Sequence, residues 1–304
     1  MTDPQPDNPR PVPAPPRRLR RWVRLRPLVQ LAFAVVWLWP ASALRIMPSC
    51  VFHCYGCALS NFACPVGLAA NFSALHIWPL MVLGIVVAAG ALVGSLICGW
   101  ACPFGFFQDL AGRIPTRKFA VPAWMSYGRY VVLIGLVIAV PYILGGMGVP
   151  YDDQNGSICS VCPAGALEAG VPNMAKSIAS GQFRWAQWEQ VTLGQASFSF
   201  PVKLLGMRWY KTVILGAFVV SLLVVVRPWC MVLCPLGGLL ALFNRISVFH
   251  LRFRRTACYE CNTCRTRCPM GVKVEQRVNV TRCIRCLNCT TCGAIGPSLG
   301  KGKE

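Results

Sequence analysis

The sequence predicts an all-α membrane protein, with four transmembrane helices as two pseudo-symmetric hairpins, followed by a small α+β domain built on tandem cysteine runs. Three observations predict it. Mean hydropathy is +0.51, with 55% hydrophobic and only 13% charged residues, a balance suited to lipid rather than to a soluble core. Apolar stretches of roughly the 20 residues that cross a bilayer recur through the chain. Eighteen cysteines fall in repeated short spacings.

Residues 1–27 are expected to be a disordered basic cytoplasmic tail, with seven prolines in the first sixteen positions and then Arg17, Arg18, Arg20, Arg21, Arg24 and Arg26. The membrane domain is predicted over 28–248, with spans at 28–47, 77–97, 130–150 and 212–226. The fourth lies between Lys211 and Arg227, whose side chains would snorkel, with Trp209, Tyr210 and Trp229 at its interfaces. Basic groups before the first span, after the second (Arg113, Arg117, Lys118) and after the fourth (Arg245, Arg252, Arg254, Arg255) place both termini in the cytoplasm of a bacterial-type inner membrane. The net charge of +20 therefore reads as topology, and no aromatic-basic platform accompanies it to suggest nucleic acid. Reading Arg20-Arg21, the apolar run and Ala41-Ser42-Ala43 as a cleaved export signal is less economical, since further spans follow.

An offset of 132 (230 − 98) pairs Cys98 with Cys230, Cys102 with Cys234, Pro103 with Pro235 and Gly105 with Gly237. Cysteines four apart share a helix face, so the two pairs offer four thiolates to one centre at the inner membrane face. Four sulfurs suit a [4Fe–4S] cluster, with zinc the alternative. Each proline stops the preceding helix and each glycine admits close backbone.

Residues 249–304 hold Cys258-x-x-Cys261-x-x-Cys264-x-x-x-Cys268-Pro269, the bacterial ferredoxin run whose fourth cysteine serves the other cluster. A second run holds Cys283, Cys286, Cys289 and Cys292. Crossed over, one [4Fe–4S] set is Cys258, Cys261, Cys264 and Cys292, and the other is Cys283, Cys286, Cys289 and Cys268. The second run departs from the usual form in its last spacing and in Gly293, which puts weight on Cys292. Arg265, Arg267, Arg282 and Arg285 would offset the clusters' negative charge.

Six further cysteines fall on the predicted outer side. Cys64-Pro65-Val66-Gly67 and Cys162-Pro163-Ala164-Gly165 occupy matched contexts, so Cys57, Cys64, Cys159 and Cys162 could face one another around an outer cluster, with Cys54 as a substitute. Disulfides are the open alternative. Cys50-x-x-x-Cys54-x-x-Cys57 also spells a radical S-adenosylmethionine pattern, but no strand–helix alternation surrounds it. His53, His76 and His250 are too scattered to be paired haem ligands, whereas His53 and His76 are candidates to hydrogen-bond a quinone.

With these paired motifs and tandem runs, the chain resembles the NapH/NosR-like family of membrane ferredoxin-type proteins, over residues 28 to 292. The resemblance implies electron transfer between a cytoplasmic or quinol donor and an exocytoplasmic redox partner, as a subunit of a quinol-linked oxidoreductase system. It carries Cys98, Cys102, Cys230 and Cys234 as motif cysteines, with the eight ferredoxin cysteines. The six outer cysteines depart from the nitrate-reduction member, and a large flavin-bearing N-terminal domain like that of the nitrous-oxide member is not expected. Clusters at two faces would be separated by much of a ~30 Å core, a gap that a quinone, a partner's haem or inset clusters would shorten. The alternative function is an accessory redox protein for assembling the metal centre of a respiratory enzyme.

Overall fold

A computed structural model describes residues 17–38, 64–119, 121–151, 154, 157–193, 196–205, 207–258, 261–291 and 293–300. Cys50, Cys54, Cys57, His53, Cys292 and the proline-rich residues 1–16 lie outside the described residues.

The described residues open with α1 (Arg17–Leu38), whose first half is basic and whose second half is apolar. α2 (Pro65–Ala74) and α3 (Leu80–Val93) follow. Next come a short α4 (Leu96–Trp100) and α5 (Pro103–Gly112). α6 (Ala123–Gly146) is continuous through a 3-10 start and a π-turn. α7 (Ile158–Val161) and α8 (residues 163–179) lead to an antiparallel sheet of β1 (Ala186–Leu193), β2 (Ala196–Leu204) and β3 (Met207–Arg208). α9 (Trp209–Val224), α10 (Pro228–Val232) and α11 (Pro235–Leu242) repeat the order of α3, α4 and α5. The C-terminal part pairs β4 (Phe249–Phe253) with β5 (Ile295–Leu299) around α12 (Thr263–Thr266).

Two features correct the predicted all-α, four-span architecture. Among the described residues only α6, at 24 residues and mean hydropathy 1.9, is long and apolar enough to cross a membrane. The span predicted at 77–97 is interrupted: α3 ends at Gly94, where φ is +56°, and Ser95 turns inward to bond Asn244. Glycine adopts that left-handed backbone without the Cβ clash that other residues meet. The span predicted at 212–226 is α9, 16 residues or about 24 Å at 1.5 Å per residue, short of the core thickness. The first span is described only as far as Leu38. The second correction is the three-stranded sheet, which occupies part of what the charge pattern marks as an outer loop.

The core is one contiguous cluster joining both repeats to the C-terminal part. Phe104 stacks on Phe218 of α9 at 5.1 Å between centroids and meets Trp229 edge-on at 6.4 Å, geometries favoured by aromatic quadrupoles. Outside this core, apolar side chains stay exposed on α1 (Leu28, Val35), α3 (Leu80, Leu92), α6 (Val131, Ile143) and α9 (Val213, Val220).

The C-terminal part docks through residues 283–286. Ser95 Oγ donates to the Cys283 carbonyl at 2.5 Å, Asn244 Nδ2 donates to the same carbonyl at 2.8 Å, and Trp100 Nε1 donates to the Arg285 carbonyl at 3.3 Å. Gly99 makes this approach possible, because a Cβ there would sit 2.5 Å from the Ile284 carbonyl oxygen. We expect Gly99→Ala to cost about 1–3 kcal/mol by overpacking. Limited proteolysis should then release the C-terminal part faster than in wild type; an unchanged cleavage rate would contradict this packing.

Candidate metal centres

The same local device occurs four times. Cys64, Cys102, Cys162 and Cys234 are each the extended residue before a helix, with φ between −67° and −89° and ψ between 108° and 120°, and each is followed by proline in the first helical turn. Each cysteine carbonyl accepts from the amide four residues on: Leu68, Phe106, Ala166 and Gly238. Proline suits the first helical position because its fixed φ is helical and its missing N–H has no partner there. A thiol so placed sits at the positive end of the new helix, where negative charge is favoured. In α11 the Gly237 amide donates to Cys234 Sγ at 3.3 Å.

This corrects one detail of the expected geometry. Cys98 lies on α4 and Cys102 caps α5, so the pair straddles a break instead of sharing one helix face. The break wraps them around a space. Cys98, Cys102, Cys230 and Cys234 line one cavity together with Phe104, Arg129, Cys283 and Ile284.

A buried ionic cluster fixes the first of these thiols. Arg227, 0% exposed, donates to Asp109 from Nε and Nη2 at 2.6 Å each and from Nη1 to the Cys98 carbonyl at 3.0 Å. Arg26 on α1 also pairs with Asp109, and Arg26 and Gln30 both donate to the Gly99 carbonyl at 3.0 Å. Burial alone would raise the Asp109 carboxyl, but the Arg227 charge and its hydrogen bonds outweigh it and hold the carboxyl below the usual range. Gln108, fully buried, donates to Cys230 Sγ at 3.1 Å.

A second cavity is lined by Cys268, Cys283, Cys286 and Cys289, the crossed set expected from the tandem runs, with Arg285, Met270 and Val278. Left-handed residues turn amides toward its sulfurs: Arg285, at φ +49°, donates from its amide to Cys283 Sγ at 3.4 Å, and the Val272 amide donates to Cys268 Sγ at 3.4 Å. Burial pushes the Cys283 thiol up to about 12. Of the other crossed set, Cys258 is half-buried, Cys261 exposed and Cys264 buried on α12, which packs on the turn Asn288–Thr291 leading toward residue 292.

At the remaining cysteines, α2 packs on α7, and both Cys64 and Cys159 lie within electrostatic reach of the Tyr151 hydroxyl. Burial, with Cys159 adding to it, pushes that hydroxyl up. Cys162 is buried beside them at the start of α8. Of the histidines, His76 is exposed with its ring 4.2 Å from that of Tyr142, and His250 lies on β4 near the Val248 carbonyl.

Each of the two cavities is lined by four cysteines, a donor set that suits a polynuclear cluster. In a [4Fe–4S] cube each thiolate binds a different iron, so four sulfurs spread around a cavity is the arrangement required. Tetrahedral zinc would draw all four to one point.

Comparison with known proteins agrees. Residues 74–122 and 205–254 each match the 4Fe-4S binding domain family, and each match contains one Cys-x-x-x-Cys-Pro unit of the repeat. An uncharacterized protein of Methanocaldococcus jannaschii is 26% identical over 80% of this chain and 88% of its own length. The methylamine utilization ferredoxin-type protein MauN of Methylobacillus flagellatus is 24% identical over 82% of this chain and 76% of its own. The regulatory protein NosR of Pseudomonas aeruginosa is 25% identical over 67% of this chain, which spans only 24% of NosR. No solved structure matches the chain. Two regions of the chain thus match the 4Fe-4S binding domain family, and its relatives include proteins named as ferredoxin-type. They bear out the resemblance to the NapH/NosR-like family drawn from the cysteine motifs.

Asp109 is the residue that the cysteine spacing did not point to. Replacing it by alanine leaves Arg26 and Arg227 buried without a carboxylate, a change that typically costs about 3–5 kcal/mol. We expect D109A to unfold at lower denaturant and to expose Cys98 to alkylation; wild-type stability would contradict the role given to the cluster.

Proposed function

We propose that the chain is a membrane-bound electron carrier, passing electrons between a cytoplasmic or quinol donor and an exocytoplasmic redox partner. The observation that carries this reading is that Cys283 and Ile284 line both four-cysteine cavities, so a single stretch of backbone separates them. Tunnelling rates fall steeply with distance, and a shared wall is the arrangement that keeps them high.

In this reading Cys98, Cys102, Cys230 and Cys234 hold one [4Fe–4S] cluster, and Cys268, Cys283, Cys286 and Cys289 hold another. Cys258, Cys261, Cys264 and Cys292 hold a third. Bound at these thiolates, such a cluster supplies one-electron exchange. The chain's own residues do the rest. Asn244 and Ser95 lock the Cys283 carbonyl against the first repeat, the amides of Gly237, Val272 and Arg285 face the sulfurs, and Phe104, Trp229 and Met270 keep water out. Because these thiols bind iron deprotonated, loading releases protons, and cluster retention falls as pH is lowered.

The membrane setting is supported by α6, long and apolar enough to cross a bilayer, and by the exposed apolar side chains of α1, α3 and α9. The basic start of α1 and the C-terminal part belong on one face, the cytoplasmic one, since α1 packs against the turn Asn288–Thr291. Cys64, Cys159 and Cys162 offer a further centre, with a cluster or a disulfide as its two readings. His76 and Tyr142, exposed beside the apolar belt, are candidates for a quinone head group.

Iron and acid-labile sulfide in anaerobically purified protein test this directly. We expect Cys98→Ser with Cys230→Ser to lose one cluster's iron and keep the C-terminal signal, and Cys283→Ser to lose the other. Zinc in place of iron, or unchanged iron in both variants, would overturn it.

A further inference from the structure

Two buried arginines lack the partner that buried charge normally requires. Arg129 is 2% exposed and Arg285 is 0% exposed, and among the described residues neither forms an ion pair with a carboxylate. Arg129 donates from Nη2 to the Thr281 carbonyl at 3.0 Å. Arg285 donates to the Val93 carbonyl at 3.1 Å, to Ser247 Oγ at 2.6 Å, to the Asn244 carbonyl at 2.5 Å and to the Phe249 carbonyl. In both, Nε has no hydrogen-bond partner. Arg227 is different, since it pairs with a carboxylate, Asp109, which it shares with Arg26. A guanidinium taken out of water without an anion is strongly unfavourable unless something else supplies the negative charge.

Their positions say what supplies it. Arg129 lines the cavity of Cys98, Cys102, Cys230 and Cys234, and Arg285 lines the cavity of Cys268, Cys283, Cys286 and Cys289. Neither cavity has a second arginine in its lining. Of the other arginines in the C-terminal runs, Arg265 and Arg267 are exposed and Arg282 is half-buried. Both guanidiniums are held in place. Gly238 leaves room for Arg129, whose Cδ lies 3.1 Å from where a Cβ would stand, and Arg285 is clamped by five acceptors.

We propose that Arg129 and Arg285 are fixed counter-cations, one for each four-cysteine cavity, that stabilise the more negative reduced state of the cluster bound there and so raise its potential. This rests on the function proposed above. Thiolate-ligated clusters are anionic and gain negative charge on reduction, and local charge and hydrogen bonds are the protein's means of tuning them. The competing role is purely structural, in which the arginines only tie carbonyls together.

An EPR-monitored redox titration of the iron-loaded protein, with iron and sulfide measured first, separates the two. Arg285→Gln should shift the C-terminal cluster, and Arg129→Gln the inner cluster, to more negative potential by about tenfold in the reduction equilibrium, ~59 mV for one electron. Each should leave the other cluster within about threefold, ~28 mV on the same scale. Arg285→Lys and Arg129→Lys, which keep the charge and lose the fork, should stay near wild type even where they unfold more readily. A glutamine variant that loses its cluster while the lysine variant keeps it supports the same role. Equal shifts in the lysine and glutamine variants, or no shift in either glutamine variant with iron retained, would overturn it. Wild-type protein without iron would instead defeat the functional reading, and the iron assay shows which has failed.

Discussion

The structure depends on a helix that stops at a cysteine and restarts at the proline after it. Stopping there leaves the thiol at the N-terminus of the new helix, in extended backbone, facing a space that the two helix halves cannot fill. Duplication of this unit brings two such thiols and their upstream partners around one cavity, and the ionic cluster of Arg26, Asp109 and Arg227 ties the first unit to α1 and to the second repeat. A continuous helix would have carried the cysteines past one another on a single face. The interruption turns a sequence repeat into a site.

The second dependence is the junction at Asn244. Its side chain accepts from the Ser95 amide and donates to the carbonyls of Val280 and Cys283, so one buried amide joins both repeats to the C-terminal part. A fully satisfied buried polar group of this kind specifies one arrangement, because any other leaves donors and acceptors unmet. The consequence is functional. The wall between the two cysteine cavities is only as well placed as the Cys283 carbonyl that Asn244 and Ser95 hold.

Much of the site was legible in the residues, and for a physical reason: metal ligation needs particular atoms at short spacing. The offset between Cys98 and Cys230 foretold that the four motif cysteines gather, and the ferredoxin crossing rule foretold that Cys268 joins Cys283, Cys286 and Cys289. What hydropathy could not convey was the length of the helices. Residues 77–97 are apolar throughout, yet Gly94 and the hydrogen bond from Ser95 to Asn244, 149 positions away, end α3 early. The sheet had a local signal in the alternating Ser197-Phe198-Ser199-Phe200, but a window average of hydropathy does not register a period of two. Arg129 carried no signal at all, because its meaning comes from Thr281 and from cysteines distant in sequence on either side, which only the folded chain brings to it.

The central claim is that two four-cysteine cavities with a common wall hold redox centres that communicate. Low-temperature EPR of fully reduced, oxygen-free protein tests it most directly. The account predicts spectra broadened by spin coupling between neighbouring clusters, collapsing to an uncoupled C-terminal signal when Cys98 and Cys230 are changed to serine. Isolated signals in wild type that this double change leaves unaltered would contradict it.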